Sequence, residues 1–380
     1  MAACIFIKKT ESFPDLNTSI PPRLVAHALW LLTARSRGGN HWVSNAHCQI
    51  QTIEFGGHSH PVSLLEHSQW QECAASSPRT ALLRVNRYCR SSPVYAVARM
   101  VDTLSCLIYG PLSALMHTGK LDQAALVGNY LLPVTFYPAW NADDIRLMTE
   151  KLQTAHPQRP LMMQHLSTEV CPQLMQHLRN LGWKMIATRR VMLADPQQSH
   201  QSNLLAEADV SIVPHDQLTD HDLHELYALY KQHQAQHKNH LQADFSLAFF
   251  ELCLETGFAG LTGLRWRGRW AGVLGTYTQP GCSWLSAPLM AWDHKLPAAV
   301  DADRILQQLF IDEAKQKQLN VHWGTKLKTD PGNGSVAVEY TAIYDQHLPS
   351  SQKTALHWFS AVFQQCVFRS SAATIKRRSE

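Results

Sequence analysis

The sequence predicts an α/β (α+β) chain in which mixed, mostly antiparallel sheets are flanked by helices. Two observations point there. Short runs with strand-like alternation, or with continuous apolar character, are interleaved with longer runs whose apolar residues recur at helical spacing. Several of the strand-like runs are divided by glycine-bearing turns, Gly56-Gly57, Arg267-Gly268 and Pro280-Gly281, which are hairpin signals. The composition fits such a chain: 45% apolar and 17% charged residues over 380 positions is globular and excludes a wholly disordered protein.

A polar, proline-bearing stretch without periodicity, Ala194 to Asn203, reads as a linker and divides the chain into two domains, 1–200 and 201–380. In the second half, Asp209–Val213 alternates like a strand and ends at Pro214. Leu223, Leu226, Tyr227 and Tyr230 then recur at helical spacing between Thr219 and His237. Another helix is expected near Ala243–Glu255, with Gly257 as its stop. Three strands follow as a meander: Phe258–Trp266, Trp270–Gln279 and Ser283–Trp292. The next helix, near Ala302–Lys317, gathers Ile305, Leu306, Leu309, Phe310 and Ala314 on one broad face, and Asp301 and Asp303 at its start are capping residue types. Leu319–Trp323 and Ser335–Tyr344 read as strands, and Gln352–Val367 as the last helix. The first half shows a hairpin of Gln49–Phe55 and His60–Leu65, helices near Ala142–Gln153 and Pro172–Leu181, and a strand Trp183–Leu193 directly after Gly182.

Charge and cysteine usage narrow the function classes. Thirty-four Lys and Arg against 30 Asp and Glu leave +4, too mild a balance for a protein built around nucleic acid. Nine cysteines stand singly with no C-x-x-C pair, which indicates neither a zinc knuckle nor a disulfide framework and suits a reducing cytoplasm. The start lacks the charge-then-apolar order of a secretion signal. The most apolar window, Tyr95 to Met116, carries Arg99 and Asp102, so no membrane span is expected. His221, His224, His233, His237 and His240 cluster around one helix without the acid of an H-E-x-x-H arrangement, and no metal is expected. Arg265, Arg267 and Arg269, interleaved with Trp266 and Trp270, read as the solvated edge of a hairpin.

The element order of the second half, with particular segments of both halves, resembles a family of two-domain N-acyltransferases of the GNAT superfamily related to the FemAB-like peptidoglycan-bridge aminoacyltransferases. The segments are Asn86 to Pro93, Leu131 to Pro138, Gly272 to Gly275, Ala287 to Asp293, and Glu339 to Tyr344 with His347-Leu348-Pro349. Two departures stand out. Thr329 and Asp330 replace positive charge in the loop after the penultimate strand, and His294 to Arg304 contains no glycine where acetyl-CoA enzymes carry a pyrophosphate loop.

The resemblance implies tandem GNAT-like domains, the second catalytic and the first degenerate or used in substrate recognition. It implies transfer of an acyl group from a thioester co-substrate, acyl-CoA or acyl carrier protein, to a small-molecule or peptide amine. The alternatives are aminoacyl transfer from tRNA and a non-catalytic binding protein. Catalytic roles fall on Asp293, Glu339 and Tyr344. Asp293 is placed to orient or deprotonate the amine, Glu339 to act as a base with a raised pKa, and Tyr344 to protonate the leaving group. Donor binding falls on Met290, Trp292, Lys295, Arg304 and Lys328, around a helix N-terminus near Ala302.

Overall fold

The computed structural model describes residues 22–66, 71–84, 109–198, 209–237, 241–297, 300–325 and 334–368. The segment Asn86 to Pro93 and the lysines Lys326 and Lys328 lie outside them, as does His240.

The chain opens with α1 (Pro22–Arg37), which buries Ala26, Trp30, Leu31 and Ala34, and continues into the hairpin of β1 (Gln49–Phe55) and β2 (His58–Leu64). A helix α2 at 109–118 and the short β3 (Ala125–Val127) precede α3 (Ala142–Ala155). The start of α3 is set locally: the Asn141 side chain accepts the Asp143 and Asp144 N–H groups, and Asp144 answers the Asn141 N–H, closing a capping box. Then come β4 (Leu161–Leu166), α4 (Pro172–Asn180) and the long β5 (Lys184–Ala194).

The second half runs β6 (Val210–Val213), α5 (Asp220–His237), α6 (Leu247–Thr256), then the meander of β7 (Gly260–Trp266), β8 (Arg269–Tyr277) and β9 (Trp284–Trp292). It ends with α7 (Ala302–Gln316), β10 (Asn320–His322), β11 (Ser335–Tyr344) and α8 (Ser350–Val362). Helix α6 begins later than periodicity predicts because Phe245 is drawn into a β-bridge with Val43, and Ser246 then caps the helix through the Phe249 N–H. Gly257, at φ 66°, ends it as expected.

The fold class is the expected one: a mixed, mostly antiparallel sheet with helices against it. Its eleven strands run in the order β1-β2-β3-β4-β11-β5-β10-β9-β8-β7-β6. The last of the described strands, β11, therefore lies between two strands of the first half, antiparallel to both β4 and β5. Strand β10 joins the same seam by pairing with the other edge of β5. Helix α7 packs Ile305, Leu306 and Phe310 with Leu274, Leu285 and Val321, whereas α5 and α6 share a separate core with α1, Leu261, Val273 and Leu289.

Among the described residues of the second half, the one parallel strand pair opens into a fork. Trp284, Leu285 and Ser286 of β9 face Asn320, Val321 and His322 of β10, and there the pairing stops. Beyond it, β9 stays with β8 as far as Trp292 opposite Gly272. Strand β10 instead follows β5: the Trp323 N–H donates to the Met192 carbonyl, and the Met192 N–H to the Gly324 carbonyl. Gly324, at φ 66°, turns the chain out of the strand where a side chain would be strained. The Trp323 indole meets the Phe310 ring edge-on at 5.0 Å, which ties this arm of the fork to α7.

Candidate functional site

At the base of the fork four strands contribute one side chain each: His165 from β4, Glu339 from β11, Arg189 from β5 and His322 from β10. Two register faults bring them together. Between Leu166 and Met163 of β4, Gln164 and His165 oppose the single residue Thr341, which is a β-bulge. On the other side of β11, Thr188 is the extra residue, since Glu339 faces Arg189 and Tyr340 faces Ala187. Bulges bend a strand and re-aim its side chains, and here both fall beside one carboxylate.

Glu339 is fully buried. One carboxylate oxygen accepts from Arg189 Nε and the other from His322 Nε2 at 2.9 Å. Arg189 spends a second donor, Nη2, on the Pro133 carbonyl at 2.9 Å. The His322 tautomer follows from its neighbours: the Gly324 N–H donates to Nδ1 at 3.1 Å, so the ring proton sits on Nε2 and points at Glu339. Burial by itself would raise the Glu339 pKa. The Arg189 guanidinium, the His322 hydrogen bond and the nearby His165 overcome that and hold it far below the usual carboxylate range. Glu339 is thus a permanent anion, not the raised-pKa base expected from its Thr and Ile neighbours along β11. The sequence reading counted burial but had no view of Arg189, 150 residues away.

His165 is half-buried and sits at φ 60°, in the left-handed region, within a strand. Its Nδ1 accepts the Thr135 N–H at 3.1 Å. Burial, then Arg189, pushes its pKa down to about 3, with Glu339 pulling the other way. The base therefore holds one cation, Arg189, one anion, Glu339, and the neutral His165 ring, with His322 hydrogen-bonded to the anion. A second polar chain adjoins it: Phe136 stacks on Tyr277 at 6.5 Å and meets His322 edge-on at 6.0 Å. The Tyr277 hydroxyl donates to Gln279 Oε1 at 2.6 Å, which leaves His27 Nε2 as the donor to Tyr277 at 3.0 Å.

The residues expected from sequence lie elsewhere. Asp293 stands seven residues beyond the last β9–β10 pair, about 23 Å along the strand direction. Its carboxylate accepts the Lys295 N–H at 2.9 Å as a turn acid. Met290 and Trp292 are half-buried on the outer arm of the fork, on the side of α7, while Lys295 and Arg304 are exposed. The Trp292 N–H donates to His233 Nδ1 at 3.2 Å, and His294 Nε2 lies 3.0 Å from that same nitrogen. At the start of α7 the Asp301 side chain accepts the Arg304 N–H, and Asp303 sits in the first turn. The helix's positive end already faces carboxylates of this chain.

Tyr344 is not near the fork. It is five residues along β11 from Glu339, so about 17 Å separates the two along the strand. Its hydroxyl accepts from Gln153 Nε2 at 3.1 Å and its ring packs in the core of α3 and α4. His347 donates Nε2–H to the Arg159 carbonyl at 2.9 Å, a structural bond. Sequence reasoning thus found one member of the base, Glu339, and missed His165, Arg189 and His322. A signal existed for β4: the apolar run Leu161-Met162-Met163, bounded by Pro160, has the continuous character of a buried strand.

Two further clusters are accounted for by contacts within the chain. Arg265 pairs with Asp222 at 2.7 Å and lies over the Trp270 ring, and Arg267 pairs with Asp209 at 3.3 Å over Trp266, the arrangement of a solvated hairpin edge. His221, Asp222 and Glu225 bring ligand atoms within 4.8 Å of one another on α5, but Asp222 serves Arg265 and Thr219, and Glu225 accepts from Trp270 Nε1. Cys48, Cys73, Cys171, Cys253 and Cys282 are free thiols.

No family model matches the chain, and no curated protein matches it. Among solved structures it is similar to the C-terminal DUF2156 domain of a protein from Agrobacterium fabrum, at 13% identity over 63% of this chain and 81% of that one, TM-score 0.42. It is also similar to FemX, at 9% identity over 57% and 82%, TM-score 0.40. A GCN5-related N-acetyltransferase from Kribbella flavida follows at 9% identity over 58% and 80%, TM-score 0.34. These are likenesses of fold between parts of chains, and none of the three assigns an activity to this protein. Among the described residues no helix is long and apolar enough to cross a membrane.

Proposed function

We propose that the protein transfers an acyl group from an activated donor to an amine, with the donor lying in the fork between β9 and β10. The observation that supports this most is the parting of those strands at Ser286 and His322, directly beside the buried Arg189–Glu339–His322 cluster. Parting strands offer an edge along which an extended, amide-bearing arm can lie, and the adjoining cluster supplies hydrogen-bond donors already oriented by the fold. In this reading Met290, Trp292, Lys295 and Arg304 flank the donor. Asp293, half-exposed at the mouth, draws in the acceptor amine, a small molecule or peptide. Glu339 fixes the orientation of Arg189 and His322 and takes no proton itself.

The donor we propose is a thioester, acyl-CoA or an acyl carrier protein arm, met in the cytoplasm. A specific observation favours a donor without a pyrophosphate at α7: Asp301 already occupies the Arg304 N–H there. That supports a carrier-protein arm over coenzyme A, and it equally supports the second reading, an aminoacyl ester carried by tRNA. Incubation of the protein with an amine panel and each donor class, read by mass spectrometry and by thermal shift, tests this. Amide product with a thioester donor, and a rise in melting temperature with that donor, are expected. Product with aminoacyl-tRNA alone replaces the donor by the second reading. No amide product and no shift with any of the three donors removes acyl transfer.

A further inference from the structure

We propose that the outer face of α1 is a docking surface for an anionic lipid bilayer, entered to headgroup depth and not crossed, a role independent of the acyl-transfer reading. Helix α1 is apolar on two sides. Ala26, Trp30, Leu31 and Ala34 face the core, while Val25, Leu29 and Leu32, at i, i+4 and i+7, form a stripe on the other side. The three stripe residues are 50%, 41% and 64% exposed. The other large apolar side chains that stand in solvent among the described residues, Leu147, Ile212, Val336 and Trp358, occur singly on α3, β6, β11 and α8. Isolated exposed apolar residues are ordinary on a protein surface, whereas a helix apolar on both sides is expected where something covers the outer one.

Charge selects the cover. The helix has no Asp or Glu; its permanent charges are Arg23 in the first turn and Arg35 and Arg37 in the last. At about 3.6 residues per turn, Arg35 and Arg37 fall on opposite flanks of the stripe, and both are exposed. A second copy seated here by two-fold symmetry would set arginine against arginine, whether the helices ran parallel or antiparallel, with no acid on the helix to answer it. An anionic bilayer meets both requirements. Its acyl chains receive Val25, Leu29 and Leu32, and its phosphate oxygens receive the guanidinium groups, which reach up from the apolar boundary on their own methylene stems. With its inner side held in the core by Trp30 and Leu31, α1 lies in the plane of such a surface.

Co-sedimentation of the whole chain with mixed phosphatidylserine–phosphatidylcholine vesicles, against vesicles of phosphatidylcholine alone, tests this. Binding to the mixed vesicles is expected to be at least about tenfold tighter than to the neutral ones, and to weaken as salt is raised from about 0.1 M to about 1 M. Leu29→Gln combined with Leu32→Gln is expected to lose about tenfold or more, and Arg35→Gln and Arg37→Gln about fivefold each. Without lipid, the double leucine variant is expected to melt within about 3 °C of wild type, because those side chains then face only water. Failure of the wild type to sediment with mixed vesicles, equal binding to both vesicle types, or unchanged binding by the leucine variant overturns the proposal. A larger fall in the leucine variant's melting temperature also overturns it, by placing another part of this chain on the stripe. So does a wild-type dimer that the leucine substitutions dissociate, which would place a second copy there.

Discussion

The base and the mouth of the fork share strand β9 and differ in how each treats charge. At the base, Glu339 lies where water cannot answer it and Arg189 keeps only part of its side chain in water, so each is held by other segments of the chain: Pro133, Gly324 and His322. At the mouth, Asp293 is satisfied by the Lys295 N–H two residues on, and Lys295 and Arg304 reach solvent. A solvated charge is screened and adopts a geometry only when a ligand imposes one. A buried charge must be matched during folding, and its partners are therefore oriented before any ligand arrives. Side chains oriented by folding belong to the base, where both halves of the sheet meet; solvated charges belong to the mouth.

The contrast breaks most sharply at Glu339. Glu339→Ala leaves the partly exposed Arg189 guanidinium without its anion and the buried His322 Nε2–H without its acceptor, and a loss of about 1–3 kcal/mol is expected in urea unfolding. Adding Arg189→Met to that variant is expected to restore part of the loss, because the stranded charge is removed. A single-variant cost below about 1 kcal/mol would place the base in the same class as a surface pair.

Acid sharpens the comparison next. His165, and His60 in the β2 strand, take a proton near pH 6.5 when unfolded but, through burial first, only at about 3 and about 4 when folded. Unfolding therefore binds protons as pH falls below 6.5, and stability, fully present above that value, declines toward pH 4 with a slope of about two protons. His165→Gln and His60→Gln are each expected to remove about one proton from that slope. The Glu339 contribution behaves differently: with its folded pKa depressed from 4.5, it is complete above that value and is lost only as pH falls further. A slope that is the same in all three proteins would show that neither ring is held neutral.

The smallest effects are expected away from the base. Asp293→Asn keeps the turn hydrogen bond and should stay within about 0.5 kcal/mol of wild type, with its effect confined to the acceptor KM. Tyr344→Phe removes the Gln153 contact, for about 1 kcal/mol, and should leave turnover unchanged. Loss of turnover in Tyr344→Phe would contradict its placement about 17 Å along β11 from Glu339.

The fold was legible to different depths in different places. The β1–β2 hairpin, the meander from β7 to β9 and the helix after Asp301 are written in local periodicity and turn residues, and the structure has them with shifts of a few residues at the ends. Helix α1 and strands β3 and β4 were missed: Ala125–Val127 is too short to declare a period, and the apolar run of Leu161–Leu166 is broken by Gln164 and His165. Of the base, Glu339 was legible as a lone carboxylate in a strand, but its partners were not. Arg189 in an apolar-flanked strand and His322 beside Trp323 look like ordinary strand residues until their neighbours are known.

What the sequence determined alone is whatever depends on contacts a few positions apart: Asn141 and Asp301 as caps, Gly257 as a stop, and Gly56-Gly57 and Arg267-Gly268 as turns. Local torsions and short-range hydrogen bonds set these. The tertiary structure alone decided that β11 enters between β4 and β5, and that Glu339 meets Arg189 across 150 positions and His322 across 17. Strand order and register are settled by the burial of whole faces and by the bulges at Thr188 and at Gln164-His165, and no local pattern encodes which distant strand will answer a buried charge.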